Sequence, residues 1–266
     1  MPNHFLSRFD HLAVVFLVAG VVFSSIEAEA AEIPVFRPGE KLTYKISWMG
    51  IEGGEGGLSV LEENVYRGKK VYLLVITARS TGWVRSLYPV DDRTVSYFDL
   101  SGNFSRKVDI SISENRYRKK KTIEFFQEEG KAIYRVDDDP EEEFAIDRDS
   151  QDSFSALYAL RTMGPKLKIG QTIQIPIFED RTRYTLDVRV LRKERIELPH
   201  GFVDTLVIEP KLQTEGIFSR KGSMTVWLTD DEHLTPVMMK SKVLIGSFVA
   251  VLSSYSGARI NFIRPE

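Results

Sequence analysis

Most of the chain alternates apolar and polar positions with a period of two, which predicts β-strands. In the stretch 42–48, Leu42, Tyr44 and Ile46 share one face with Trp48. The stretch 71–78 is apolar on both faces, so we expect it to be covered on both sides. The other predicted strands are 95–100, 108–113, 122–126, 133–136, 171–178, 184–191, 202–208, 223–228, 237–244 and 248–255. Their short spacing and Gly-containing breaks indicate antiparallel hairpins.

One segment follows a helical period instead. Its apolar residues are Phe154, Leu157, Tyr158 and Leu160. Asp149, Ser150 or Asp152 can cap its start, and Gly164-Pro165 ends it. The pattern predicts one central α-helix over about 149–163.

An internal repeat surrounds this helix. The matching stretches are 38–44 with 169–175, 68–76 with 201–208, 81–86 with 215–219, and 94–99 with 225–230. Gly39 and Gly170 are 131 residues apart, and so are Asp99 and Asp230. We therefore predict a mainly β domain over 31–266, made of two repeats (about 36–147 and 168–256) joined by the helix. The two related halves should form one curved antiparallel sheet or an open barrel, because six strands cannot bury an apolar face alone.

The first 30 residues have the plan of a secretory signal peptide. Arg8 precedes the apolar run 12–23, and Ala28 and Ala30 supply small residues at positions −3 and −1. The run is shorter than the roughly 20 residues that a spanning helix needs. We expect cleavage after Ala30, a periplasmic location and no integral membrane span after cleavage.

Composition excludes several classes of protein. The 266 residues include no Cys, which removes disulfides, thiolate metal sites and cysteine nucleophiles. Lys and Arg number 36 against 38 Asp and Glu, a net charge of −2. That balance argues against nucleic-acid binding. No motif indicates a cofactor.

The nearest approach to a catalytic or metal cluster is Asp230-Asp231-Glu232-His233. Histidine and carboxylates can ligate a metal or exchange protons, but adjacent strand residues point to opposite faces. We interpret the segment as a polar turn. Beyond residue 30 the other histidine is His200, in a second predicted turn, and no GxSxG elbow is present. The acidic run 137–143 lacks calcium-loop spacing and is interpreted as a solvated loop.

Two groups of residues are candidates for ligand binding. The large apolar candidates are Trp48, Trp83, Tyr88, Tyr158, Phe218 and Trp227. They would line a hydrophobic pocket, or else close the core at the sheet ends. Arg116, Arg118 and Lys120 belong to a basic run that would hold a phosphorylated headgroup or a membrane surface. The alternative is a solvated hairpin tip.

Several motifs resemble a bacterial exported family known as domain of unknown function 3108 (DUF3108). They are Pro38-Gly39-Glu40-x-Leu42-x-Tyr44, Asp152-x-x-Ser155-Ala156-x-Tyr158-x-Leu160-Arg161, Trp227-Leu-Thr229-Asp230-Asp231, Pro236-Val237 and Gly246-Ser247. The resemblance covers about 36–256. It implies an envelope protein built mainly of antiparallel β-structure, and it carries over no catalytic residues. The chain departs from lipid-anchored members because it has no cysteine.

These observations favour a periplasmic, non-enzymatic protein that binds a hydrophobic or amphiphilic ligand, either a lipid or a glycolipid. A second hypothesis is an envelope assembly or scaffold protein that binds a protein partner. A hydrolase that uses Asp230, Asp231 and His233 is the third. A cavity along the helix would favour the first, and a filled core with an exposed apolar patch would favour the second.

Overall fold

The computed structural model describes residues 35–212, 223–243 and 245–264. The predicted signal peptide (1–30) and the candidate Phe218 lie outside these ranges. Within them, no helix is both long enough and apolar enough to cross a membrane.

The described chain is built of strands, with three short helical segments. The strands are β1 Lys41–Trp48, β2 Ile51–Tyr66, β3 Lys69–Ser80, β4 Asp91–Asp99, β5 Phe104–Glu114, β6 Tyr117–Phe126, β7 Lys131–Val136, β8 Glu142–Ala145, β9 Thr172–Glu179, β10 Thr182–Leu198, β11 Gly201–Leu212, β12 Met224–Thr229, β13 Pro236–Lys242 and β14 Ser247–Ser256. The helices are α1 Gly82–Leu87 and α2 Ser155–Arg161, and a 3-10 turn covers Gly164–Lys166.

All fourteen strands form one antiparallel sheet, ordered β8-β7-β6-β5-β4-β3-β2-β1-β14-β13-β12-β11-β10-β9. Each half of the chain is a meander, and the halves meet where β1 pairs with β14. The predicted mainly β fold is confirmed. The sheet is not closed into a barrel, because β8 and β9 remain as its two edges.

Equivalent positions in the two halves make equivalent backbone contacts. Gly39 N–H donates to Val60, and Val60 N–H donates to the carbonyl of Glu40. Gly170 N–H donates to Val190, and Val190 N–H donates to Gln171 in the same way. Gly39 and Gly170 both have positive φ, the conformation that glycine adopts most readily. A duplication of this unit remains our prediction, and these paired contacts agree with it.

Helix α2 lies across the sheet between the halves. Ala156 and Leu160 pack with buried side chains of β9–β12, whereas Tyr158 and Ala159 pack with Phe36 and buried residues of β2–β4. The helix is shorter than the predicted 149–163. Asp149 has φ of 62°, and Gln151 N–H donates to Pro176 along the edge of β9, so the segment before the helix is extended.

The Gly-rich segment 50–57 is a hairpin turn only at its start. Gly50 has φ of 85° in the β1–β2 turn, and the remaining glycines lie in the long strand β2, which the sequence pattern did not predict. A Cβ added to Gly53 would lie 2.6 Å from Cγ2 of Val84. Glycine therefore lets α1 pack closely on β2, and α1 itself was also missed.

The two sheet edges meet through side chains, in a contact we call the seam. Phe178 of β9 is fully buried against β5–β8, with its ring 5.5 Å from that of Phe144 and 6.4 Å from that of Phe125. Arg181 and Glu142 form an ion pair across the same contact. The sheet therefore curls until its edges approach, without a ladder between them.

The seam contains a buried tyrosine that predicts alkaline sensitivity. Burial, together with the Asp180 carboxylate, raises the pKa of Tyr134 to about 12. Tyrosine in an unfolded chain ionises near pH ~10. The unfolded state therefore loses its proton first, and stability holds below pH ~10 and falls as the pH rises toward 12. Urea unfolding at a series of pH values measures this fall, which should be shallower in Tyr134→Phe. Equal slopes in the two proteins would contradict the assignment.

Candidate functional site

A cavity of about 450 Å³ lies between α2 and the sheet. On the helix side it is lined by Ser153, Phe154, Ala156, Leu157, Tyr158 and Leu160. The sheet contributes apolar side chains from both halves, chiefly Tyr44, Ile46, Leu58, Ile76, Ile175, Leu186, Val188, Ile208, Val226 and Met239. The cavity is thus bounded by α2 on one side and by strands from each repeat on the other. Almost all of its wall is hydrocarbon.

Small residues on the sheet make this space. Gly56 and Gly57 of β2, Ala78 of β3 and Ala250 of β14 all line the cavity. A Cβ on Gly57 would lie 2.6 Å from the Thr77 hydroxyl, and one on Gly56 would lie 3.3 Å from Ile46. Larger side chains at these four positions would take up the volume of the cavity or displace its walls.

Exposure along the lining strands shows where the cavity opens. On β1 the lining passes from buried Tyr44 to partly exposed Ile46, and on β12 it passes from buried Val226 to exposed Met224. In both strands the exposure of the lining side chains increases toward the end of the sheet that carries the β1–β2 turn, α1 and the β13–β14 turn. We call this end the mouth end.

A buried ion pair lies beneath the part of the cavity that is farthest from the mouth end. Arg161, at the end of α2, is fully buried, and its two terminal nitrogens donate to the Glu40 carboxylate at 2.6 and 3.0 Å. Its Nε donates to the carbonyl of His233. Burial acts to lower the pKa of Arg161, but the facing Glu40 carboxylate raises it overall, so the guanidinium stays charged.

Two tyrosines of the lining extend toward this ion pair. The Tyr44 hydroxyl donates to the carbonyl of Pro236 at 2.7 Å. Tyr158 packs edge-on against Phe36, and the Arg161 guanidinium lies 5.2 Å from the Tyr158 ring centroid. Burial raises the pKa of both phenols, so both are neutral at physiological pH, and the buried Tyr158 hydroxyl has no hydrogen-bond partner among the described residues.

One polar cluster interrupts the apolar lining. The Ser153 hydroxyl donates to Glu179 at 2.5 Å, and the Tyr184 hydroxyl donates to the same carboxylate oxygen at 3.1 Å. Burial, and then the Glu179 charge, raises the pKa of Tyr184. Both hydroxyls are thus committed to Glu179, and the cluster fastens the start of α2 to the β9–β10 hairpin.

Of the aromatic candidates within the described ranges, the structure brings one to the cavity. Tyr158 lines it, as described. Trp227 is buried on the opposite face of the sheet from its neighbour Val226, and its Nε1 donates to Glu194 at 3.2 Å. Trp48, Trp83 and Tyr88 are exposed at the mouth end and do not line the cavity.

The basic candidates lie on a hairpin tip apart from the cavity. Arg116 is in the β5–β6 turn, and Arg118 and Lys120 follow at the start of β6, all three exposed. The Arg118 guanidinium donates to the carbonyls of Asn115 and Tyr117. The prediction that these side chains hold a headgroup stays a prediction.

The segment 230–233 is a turn, as predicted. The Asp231 carboxylate accepts hydrogen bonds from the Thr229 hydroxyl and from the backbone N–H groups of His233 and Leu234. The His233 ring nitrogen Nδ1 lies 3.2 Å from the carbonyl of Val35. In the described ranges, no group of three or more His, Cys, Asp or Glu residues is placed to hold a metal ion.

Sequence reasoning missed most of the cavity lining. Its sheet residues are ordinary strand aliphatics, glycines and alanines, which carry no chemical signature in a sequence. The available signal was the concentration of glycine in 50–57, because Gly56 and Gly57 lie in the cavity wall.

Comparisons with known proteins identify a family and a solved structure of similar fold. Residues 43–253 match the family model described as Protein of unknown function (DUF3108). A β-barrel-like protein of domain of unknown function DUF1849 from Brucella abortus is similar in fold, with a TM-score of 0.56 and 11% identity over 85% of this chain and 99% of that one. A protein assigned as a lipoprotein from Parabacteroides distasonis aligns with a TM-score of 0.31 and 10% identity, over 84% and 98% of the two chains. No curated protein has a sequence that matches this chain.

Proposed function

The chain belongs to the DUF3108 family, and from that premise we propose that it is a non-enzymatic binding protein for a hydrophobic or amphiphilic envelope ligand, such as a lipid or a glycolipid. The observation that carries the proposal is the apolar cavity of about 450 Å³ between α2 and the sheet. Its volume falls within the range of about 300–1,000 Å³ typical of small-molecule sites. The DUF1849 neighbour supports the fold alone, because the identity is 11%.

Burial of an apolar chain would supply the binding free energy. Each methylene transferred from water contributes about 0.8 kcal/mol, and the walls offer aliphatic contacts from both halves of the sheet. The polar end of the ligand would remain at the mouth end, where the lining becomes exposed. Specificity for the tail would then come from the size and shape of the cavity.

We also propose that the protein is located in the periplasm and that it binds its ligand without catalysing a reaction. The signal-like segment 1–30 supports export to the periplasm, where envelope lipids and glycolipids are the available amphiphiles. Binding without catalysis is supported by the roles of the two histidines beyond residue 30. His233 belongs to a structural turn, and the His200 ring packs against Phe262 and Tyr255. We propose no cofactor and no metal.

Native mass spectrometry tests the proposal on protein recovered from the periplasm without detergent. We expect a co-purifying amphiphile at a near-equal ratio, and organic extraction should return it chemically intact. The fluorescent apolar probe N-phenyl-1-naphthylamine should compete with it for the same site.

Two results would contradict the proposal. A clean unliganded mass, together with no enhancement of probe fluorescence, would show that the cavity does not take apolar ligands. Recovery of a chemically altered amphiphile after incubation would show turnover and exclude a purely binding role. The first result would favour the scaffold hypothesis, in which a partner protein covers the exposed apolar residues.

A further inference from the structure

Exposed apolar side chains are concentrated at the mouth end. They are Trp48, Met49 and Ile51 around the β1–β2 turn, Trp83, Leu87 and Tyr88 on or next to α1, and Ile245 and Phe248 around the β13–β14 turn. We call this set the mouth patch. Leu87 is 72% exposed and Ile245 is 67% exposed, and the informative feature is that such residues lie together in one patch.

Direct contacts make the mouth patch continuous. Trp48 and Phe248 are paired across β1 and β14, and Trp48 Nε1 donates to the carbonyl of Ile245 at 3.0 Å. Thr81, just before α1, donates its N–H to Gly53 on β2. The two hairpin turns and α1 therefore stand side by side on one end of the sheet.

Helix α1 packs Val84 on β2 and presents its two largest apolar side chains outward. None of its six residues is buried, and Trp83 and Leu87 are exposed. A helix that packed only to complete the core would bury such residues. Here Trp83 and Leu87 add to the apolar area around the cavity opening.

The charges beside the mouth patch nearly cancel. Lys45 pairs with Glu52, and Arg85 pairs with Asp91. Within the described residues, the neighbouring side chains without an ion pair carry both signs: Arg116, Arg118, Lys119, Lys120 and Lys242 are basic, and Asp92, Glu114, Asp137, Asp138 and Asp139 are acidic. The balance gives little attraction to a charged partner, so apolar contact must dominate whatever interaction this surface makes.

We propose that the mouth patch docks on a lipid bilayer and inserts its side chains into the interfacial region. The residues come from two hairpin turns and a short helix at one end of the sheet, so they can enter a soft interface without a complementary rigid partner. Tryptophan and tyrosine prefer the level of the lipid headgroups, and leucine, isoleucine and methionine prefer the acyl boundary. The inference rests on the proposed function in one respect, because a mouth seated on the bilayer lets an apolar ligand enter the cavity without crossing water.

Flotation with vesicles tests the docking. We expect the detergent-free protein to float with phosphatidylcholine vesicles and to show a blue shift of tryptophan emission. Phosphatidylglycerol should change the binding little, because the local charges cancel. Leu87→Glu and Ile245→Glu should each weaken vesicle binding about tenfold or more, since each removes one inserted apolar side chain and adds a charge.

Val65→Glu is the matched control. The exposed fraction of Val65 is 65%, similar to that of Ile245. Val65 lies on β2 at the other end of the sheet, so its replacement should leave flotation unchanged. Equal loss in Val65→Glu, or no flotation of the unaltered protein, would overturn the proposal. A dimer that Leu87→Glu dissociates, without flotation, would assign the patch to a second copy and overturn it as well.

Failure of docking is distinguishable from failure of ligand binding. Leu87→Glu should still bind soluble N-phenyl-1-naphthylamine, because Leu87 does not line the cavity. A variant in which a larger side chain fills the cavity should still float with vesicles, because its mouth patch is unchanged. Loss of flotation on filling the cavity would contradict an independent docking surface.

Discussion

Glu40→Gln lowers the free energy of unfolding by about 3–5 kcal/mol, the cost of leaving a buried charge without its counter-ion. The substitution keeps the shape of the side chain but removes the charge that faces Arg161. That guanidinium is fully buried and makes two hydrogen bonds to the carboxylate. Urea denaturation measures the change.

The exposed pair Arg195–Asp204 supplies the control. Its two side chains are more than half accessible to solvent, so Asp204→Asn should leave the urea midpoint nearly unchanged. A loss of less than about 1 kcal/mol in Glu40→Gln would contradict a dominant role for the buried pair. The double replacement Glu40→Leu with Arg161→Met should recover part of the loss, because no unpaired charge then remains.

The position of this pair explains the size of the effect. Glu40 precedes β1, Arg161 ends α2, and the His233 carbonyl belongs to the β12–β13 turn. One guanidinium therefore joins the entry to the first repeat, the helix between the repeats and a turn of the second repeat.

Ala250→Trp abolishes probe binding while the fold remains intact. The indole enters the cavity from β14 and occupies space that an apolar ligand would fill. We expect the affinity for N-phenyl-1-naphthylamine to fall by at least about tenfold, equivalent to about 1.4 kcal/mol. Fluorescence titration measures the affinity, and a urea midpoint at or above that of the unaltered protein shows that the fold is retained.

Two further tryptophan variants test whether the probe binds in this cavity. Ala145→Trp introduces the same side chain at an exposed position on the edge strand β8 and should not alter probe binding. Ala78→Trp approaches the cavity from β3 and should reproduce the loss. Unchanged affinity in both cavity variants would show that the probe binds elsewhere.

Period-two alternation predicted most of the sheet, because strand residues with one covered face must alternate. It failed at β2, where four glycines replace the apolar residues that normally mark a strand. Glycine there serves close packing of α1 and the volume of the cavity, and both depend on neighbours far away in the sequence. The helix was predicted too long because Gln151 pairs with β9, so that the helix starts after it. The Asp152 carboxylate accepts hydrogen bonds from the backbone N–H groups of Phe154 and Ser155, and Asp152 was one of the predicted caps.

The candidate site was harder to predict than the fold. Val226 and Trp227 are both apolar, so alternation cannot decide which of them faces the cavity. The structure places Val226 in the lining and Trp227 on the other side of the sheet. Trp83 was a candidate for lining a pocket or closing the core, but it is exposed because it lies on α1, a helix that no periodicity in the sequence indicated.

The curled sheet forms a wall around the cavity, and the seam is the part of this wall that resists separation least. Thirteen ladders join the fourteen described strands, and each resists separation through a row of backbone hydrogen bonds. Between β8 and β9 no ladder forms, and the edges are joined by the buried Phe178, by surface ion pairs such as Arg181–Glu142 and by two backbone hydrogen bonds between Gln151 and β9. Exposed ion pairs exchange partners at little cost, whereas a ladder opens only when its row of backbone hydrogen bonds breaks. The wall can therefore widen more readily along this line than along any ladder, and the line runs along the edges of the two repeats rather than across the cavity mouth.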